Sequence, residues 1–192
     1  MKINSQMKFR QNTIIIVALV LLMLVFAMLN VHFIDRFNIV SMAQSLAPYA
    51  IMGLGVTFVI ASGGIDLSIG TVCIASAVIA GRLFMNGMPL FMTIPVMVLI
   101  GGIFGVLNGF LVAKLGLPSF IATLGTMMLS RGLSALLVSI PNIFFSSGTW
   151  FNKAFSNYNG FPTGLVWIIL FAVLCAYQMY KNKIGRYILA IG

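Results

Sequence analysis

The 192-residue chain has no glutamate, and its only carboxylate side chains are Asp35 and Asp66, set against eleven lysines and arginines, one histidine and two cysteines. This scarcity excludes most enzyme chemistry. Acid–base catalysis by paired carboxylates needs two acids flanking one bond, and no neighbourhood of the sequence supplies a pair. A Ser–His–Asp arrangement would have to be built on His32 alone. The sequence contains neither a G-x-x-x-x-G-K-[ST] phosphate loop nor an H-E-x-x-H motif. His32 has no second ligand near it, and Cys73 and Cys175 sit inside apolar segments, where they read as small packing residues rather than a disulfide or metal pair. The chain is expected to be no enzyme and to hold no cofactor and no metal.

Charge of both signs is scarce too. Only 7% of residues are charged, where a soluble domain carries roughly a quarter. With 61% hydrophobic residues and a mean hydropathy of +1.12, the chain reads as an integral membrane protein. The net charge of +9 reflects missing acids rather than abundant bases. No polar face gathers Lys and Arg as a nucleic-acid interface would require. The first apolar run, about 20 residues, exceeds a signal-peptide core and lacks a small-x-small cleavage site, so it is expected to stay as an anchor.

What the sequence does have is length of apolar run. Six hydrophobic stretches span or nearly span a bilayer: residues 13–34, 39–61 with Pro48, 69–85 with Arg82, 90–115 with Pro95, 118–140 with Arg131, and 162–180. A span takes about 20 residues. The expected fold is an all-α, polytopic transmembrane bundle of about six spans, one domain over residues 1–192, with helices broken near residue 48 and over 62–70. Lys and Arg concentrate on cytoplasmic loops. With the N-terminus inside, Lys2, Lys8, Arg10, Lys114, Lys181, Lys183 and Arg186 are cytoplasmic and only Arg36, Arg82 and Lys153 fall outside. The polar connection 141–161 is then extracytoplasmic. Its Trp150, Phe151, Phe155, Tyr158 and Phe161 form either an interfacial belt or a docking surface.

One segment departs from the oily pattern: Ser62-Gly63-Gly64-Ile65-Asp66-Leu67-Ser68-Ile69-Gly70. An ionisable group inside a membrane protein is costly and seldom idle. Flanking glycines permit a bend, and the serine hydroxyls can satisfy the polar groups that a bend frees. Ser62, Gly63, Gly64, Asp66, Ser68 and Gly70 are therefore candidates for a gate or pathway element. Asp66 would hold the bend through backbone N–H groups or the Ser68 hydroxyl; the plainer alternative is that it caps a helix starting near Leu67. Gly101, Gly105 and Gly109 recur every four residues and read as a helix-packing face, with Asn108 beside it as a cross-helix partner or pathway residue. Arg131 lies mid-segment and is a further pathway candidate, paired with Asp66 or facing a water-filled cavity, unless it snorkels to an interface.

Four blocks resemble a known family: SGGIDLSIG at 62–70, GVLNGFLVA at 105–113, PSFIATLGTMMLSRG at 118–132 and GRYILAIG at 185–192. In this order and spacing they are similar to the membrane-spanning permeases of bacterial ABC importers for ribose and related monosaccharides. The resemblance implies a multi-pass protein of the bacterial cytoplasmic membrane that forms a sugar pathway in the lipid bilayer. It also implies three partners: an ABC ATPase subunit that binds the ATP, an extracytoplasmic sugar-binding protein, and a second permease chain in a homo- or heterodimer. Members of this family run to roughly three hundred residues and about ten helices, so the resemblance implies a truncated, N-terminal part. Two other readings stay open at this point: an ion-coupled secondary carrier or channel using Asp66 as a relay, and a non-transporting fragment.

Overall fold

A computed structural model describes residues 5–137 and 150–192, with side chains from Thr13 onward. Helix α1 (Ser5–Leu29) is followed by a single 3-10 turn, Val31–Ile34, and then by α2 (Arg36–Ala61), α3 (Ile69–Met85), α4 (Leu90–Ala113) and α5 (Ser119–Leu137). A short helix α6 (Trp150–Phe155) and a two-stranded hairpin, β1 (Asn157–Tyr158) and β2 (Phe161–Pro162), lead into α7 (Gly164–Lys181) and α8 (Lys183–Ile191). Each predicted apolar stretch is helical over most of its described residues. Four helices, α2, α4, α5 and α7, are long and apolar enough to cross a membrane; Thr13–Leu29 and Ile69–Met85 are apolar but shorter. The protein is a helical, polytopic membrane bundle.

The expected break at Pro48 is absent. Pro48 lies inside α2, which runs unbroken from Arg36 to Ala61. Proline removes one backbone hydrogen bond, but in lipid no water competes for the neighbouring ones, so the helix continues through it. Pro95 is carried inside α4 in the same way. The break expected over 62–70 is present: α2 ends at Ala61 and α3 starts only at Ile69.

Two packing groups make up the bundle. In the first, α3 lies between α4 and α5; in the second, α2 packs along α7, with α8 at the far end of both. Small residues let backbones approach. Ala75 and Ala80 of α3 and Ala122 of α5 are fully buried. At the α2–α7 crossing, a Cβ on Gly164 would sit 2.6 Å from the Cβ of Ala47. The large apolar side chains point outward, as lipid allows, while the buried set includes Ser68, Ser76, Thr93, Thr123, Thr126 and Ser130.

The start of α7 is tied down by a single side chain. Gln44 of α2 accepts the Gly164 N–H at 2.9 Å and donates to the Phe155 carbonyl at 2.8 Å. Phe155 stacks on Trp167 with ring centroids 4.9 Å apart, and the Trp167 indole N–H donates to the Ala154 carbonyl at 2.7 Å. Phe155 of the expected aromatic set thus stacks internally while staying exposed on one side, and Trp150, Tyr158 and Phe161 are exposed as well. Asn159 and Gly160, both at positive φ, make the tight hairpin turn that Asn-Gly favours. Residues 141–149 of the predicted connection lie outside the described residues, as do the side chains of Lys2, Lys8 and Arg10.

Candidate functional site

The site is the irregular segment between α2 and α3 and the hydroxyls that hold it. Helix α2 closes with the Ser62 hydroxyl donating to the Val59 carbonyl at 2.8 Å and the Gly64 N–H bonded to the same carbonyl at 2.9 Å. Gly63 takes a left-handed φ of 76°, which only glycine adopts without strain, and this turns the chain away from the helix axis.

Beyond the turn the backbone runs beside the first turns of α5. The Ile65 N–H donates to Ser119 Oγ at 3.0 Å, and the Leu67 N–H donates to Thr123 Oγ1 at 3.3 Å. The Thr123 hydroxyl has one proton, with the Ser119 carbonyl at 2.8 Å and the Ile65 carbonyl at 3.2 Å as alternative acceptors. Non-helical backbone at membrane depth must find such internal partners. Here the side chains of a neighbouring helix supply them.

A line of donors then converges on Asp66. Thr126 Oγ1 donates to Asn108 Oδ1 at 2.8 Å, Asn108 Nδ2 to Ser68 Oγ at 3.0 Å, and Ser68 Oγ to Asp66 Oδ1 at 2.7 Å. The Ser68 N–H reaches the same Oδ1 at 2.7 Å. With the Thr126 proton on Asn108, its nearer acceptor at 2.8 Å against 3.1 Å for the Thr123 carbonyl, the donors run toward the carboxylate and each bond polarises the next. A second line joins α5 to α3: Ser130 Oγ donates to Thr71 Oγ1 at 2.8 Å, and Thr71 Oγ1 to the Ser68 carbonyl at 2.9 Å. Thr71 therefore sits beside a residue eleven positions along α5 from Ser119, roughly 16 Å at 1.5 Å per residue. Helix α3 thus begins alongside α5 well past its first turn, rather than level with the N-terminus of α5.

These contacts sort the candidate residues. Asp66, Ser68 and Asn108 meet in one bonded cluster, whereas Ser62 bonds back to Val59 of its own helix, and Gly63 and Gly64 form the turn. Gly64 is tight, since a Cβ there would lie 3.2 Å from Val59 Cγ1, while Gly70 has open space beside it. Asp66 bonds the N–H two residues on, an Asx-type turn. The helix begins at Ile69 rather than near Leu67, with Ser68 at the cap position. Arg131 is not brought to Asp66: it lies on the exposed side of α5, and among the described residues the one ion pair is His32–Asp35. Of the glycine stripe, Gly101 faces Ser76 Oγ, whereas Gly105 and Gly109 look into open space.

Ser119, Thr123, Thr126, Ser130 and Thr71 were not singled out in the sequence. Their signal was there: hydroxyls at positions 119, 123, 126 and 130 follow the 4-3-4 spacing of one helix face. Chemically the cluster offers hydroxyls, an amide and one carboxylate, a set that holds backbone and can meet a polyol, with no nucleophile–base pair. Among the described residues no group of three or more His, Cys, Asp or Glu could hold a metal ion.

The convergence on Oδ1 yields a prediction. Asp66→Asn keeps an acceptor oxygen in place and is expected to leave thermal stability in detergent nearly unchanged. Asp66→Ala strands the Ser68 N–H and hydroxyl, at about 1–3 kcal/mol for an unpaired buried group. Equal stability of the two variants would show that the carboxyl does not hold the turn.

Comparison with known proteins adds a second kind of evidence. Residues 38–192 match the model of a family described as the permease component of branched-chain amino acid transport systems. The chain is 35% identical to the Ribose import permease protein RbsC of Haemophilus influenzae, over 92% of this chain and 56% of that one. It is 34% identical to the Fructose import permease protein FruG of Bifidobacterium longum, over 74% and 45% respectively. A third relative is the Autoinducer 2 import system permease protein LsrD of Yersinia pseudotuberculosis, at 32% identity over 91% and 54%. The chain spans about half the length of these curated relatives. No solved structure matches it.

Proposed function

The chain belongs to the family of branched-chain amino acid transport system permease components, and we propose that it forms part of the membrane pathway of an ATP-driven sugar importer. It is a multi-pass protein of the bacterial inner membrane, a transport component rather than an enzyme. The observation that carries the proposal is the likeness to import permeases named for ribose and fructose, the ribose permease being matched over 92% of this chain. Ribose is accordingly the first cargo to test.

In this reading the energy comes from an ABC ATPase subunit that binds the nucleotide, cargo arrives from an extracytoplasmic sugar-binding protein, and a second permease chain completes the pore. The chain's own part is a pathway with two states. Ser62, Gly63, Gly64, Asp66, Ser68, Gly70 and Asn108 serve as the gate element, a segment with too little regular structure to be rigid alone and held by side-chain hydrogen bonds that can be exchanged. Arg131, exposed on α5, lines the pathway. Gly101 serves as a packing position of α4 against Ser76, and Gly105 and Gly109 leave the rest of that face open to a neighbouring helix.

The test is uptake of labelled ribose by cells expressing this chain with its neighbouring ATPase and binding protein. Uptake that disappears on ATP depletion and withstands an uncoupler is expected. Uptake that survives ATP depletion and collapses with the uncoupler would replace the proposal with an ion-coupled carrier.

A further inference from the structure

We propose that α2, α7 and α8 together form a binding site for an anionic glycerophospholipid of the cytoplasmic leaflet. The argument starts from the way α8 is laid down. Asn182 leaves helical geometry at φ −91° and ψ 152°, and α8 then runs back across the end of the bundle. At its start Gly185 is buried against the Gln178 and Met179 carbonyls, and at its far end Gly192 lies against the Ala61 carbonyl of α2. The helix therefore bridges the ends of α7 and α2, across the end that carries Lys181, Lys183 and Arg186, which the charge bias places at the cytoplasmic surface.

Three stripes divide α8. Gly185 is buried and Ile188 half-buried, and Leu189, though exposed, lines the groove between α2 and α7. Ile184, Tyr187 and Ile191, spaced i, i+3, i+7, are all exposed, which suits the acyl boundary of a bilayer. Lys183 and Arg186 form the remaining stripe, with Lys181 just before it, and all three are exposed. Among the described residues no carboxylate pairs with them, since the one ion pair lies elsewhere, at His32–Asp35.

Beside these cations opens an apolar groove of about 330 Å³, whose walls include Leu54, Phe58, Ala172, Cys175, Ala176 and Leu189. Leu189 is one turn beyond Arg186, so the groove and the basic stripe share an edge. A free phosphate would satisfy the cations and leave the groove empty; a neutral lipid would do the reverse. A phospholipid with an anionic headgroup satisfies both, its phosphate held by Lys183 and Arg186 and one acyl chain laid between α2 and α7.

The test reconstitutes the full chain in nanodiscs of phosphatidylcholine containing a minority of phosphatidylglycerol and weighs the retained lipids by native mass spectrometry. Phosphatidylglycerol is expected to be retained over phosphatidylcholine at least fivefold relative to its share. The preference is expected to vanish in the triple variant Lys181→Gln, Lys183→Gln, Arg186→Gln. Ala176→Trp, which fills the groove, is expected to lose bound lipid altogether, with helicity checked by circular dichroism. Should that variant not fold, Cys175 reports directly: in a Cys73→Ser background, phosphatidylglycerol is expected to slow its reaction with a maleimide several-fold over phosphatidylcholine alone. Equal retention of the two lipids, unchanged retention in the triple variant, or displacement by inorganic phosphate would overturn the proposal. So would a basic stripe whose neutralisation removes only a co-purifying protein.

Discussion

Gly185→Ala is expected to unseat α8, its added methyl being among the most crowded at any described glycine. The new Cβ would press on the Met179 and Gln178 carbonyl oxygens and lie 2.5 Å from Met179 Cα, well inside van der Waals contact. All three are backbone atoms of α7, so no side chain can turn aside to make room. Overpacking against adjustable neighbours costs typically 1–3 kcal/mol; against fixed backbone the cost is expected at or above the top of that range. Displacement of α8 is the expected relief, seen as new protease cleavage around Asn182 and a lower melting temperature in detergent. Gly105→Ala is the matched control, because nothing lies near its Cβ and alanine is the better helix former by about 1 kcal/mol. If the two variants melt together, α8 does not pack as described.

The second large effect is expected at Thr123, which no reading of charge or glycine content would single out. Its hydroxyl oxygen receives the Leu67 N–H, and its proton has the Ile65 carbonyl within 3.2 Å. Thr123→Val keeps the shape and removes the acceptor of the Leu67 N–H, together with a proton that the Ser119 carbonyl at 2.8 Å shares with the Ile65 carbonyl. Side-chain hydrogen bonds between membrane helices are often worth well under 1 kcal/mol, because the separated helices find other partners. The Leu67 N–H belongs to an irregular backbone and has no such alternative. The cost is therefore expected near that of an unpaired buried amide, on the order of 1–3 kcal/mol. Because the loss falls on the segment assigned to the gate, uptake should fall more steeply than membrane level. Thr123→Ser, which keeps the hydroxyl, should restore both. A valine variant with normal uptake would remove the Thr123 bonds from the mechanism.

Both predictions rest on contacts that sequence reading did not reach, and the reason is physical. The break over 62–70 was legible because glycines, serines and a carboxylate interrupt an apolar run, and composition along the chain records that directly. The partners of the break were not. Ile65 and Leu67 are held by residues 54 and 56 positions away, and nothing in the local pattern around Ser119 or Thr123 distinguishes a hydroxyl that bonds its own helix from one that bonds a neighbour. Arg131 illustrates the converse. Opposite charges suggested a pair with Asp66, but Arg131 lies on an exposed face of α5, while Asp66 Oδ1 takes the Ser68 N–H and hydroxyl. Pro48 misled for a similar reason: the rule that proline breaks helices presumes a solvent ready to take the freed carbonyl.

By itself, the sequence determined that this is a membrane protein, where its long apolar helices lie, and that the chain breaks between the second and third of them. Transfer of side chains from water to lipid adds up residue by residue, so it can be summed along a chain. Only the tertiary structure decided that α5 carries the broken segment on a ladder of hydroxyls, that Gln44 ties down α7, and that α8 folds beneath α2. A hydrogen bond or a close backbone approach depends on the relative placement of two distant segments, and that placement is a property of the packed bundle rather than of either segment alone.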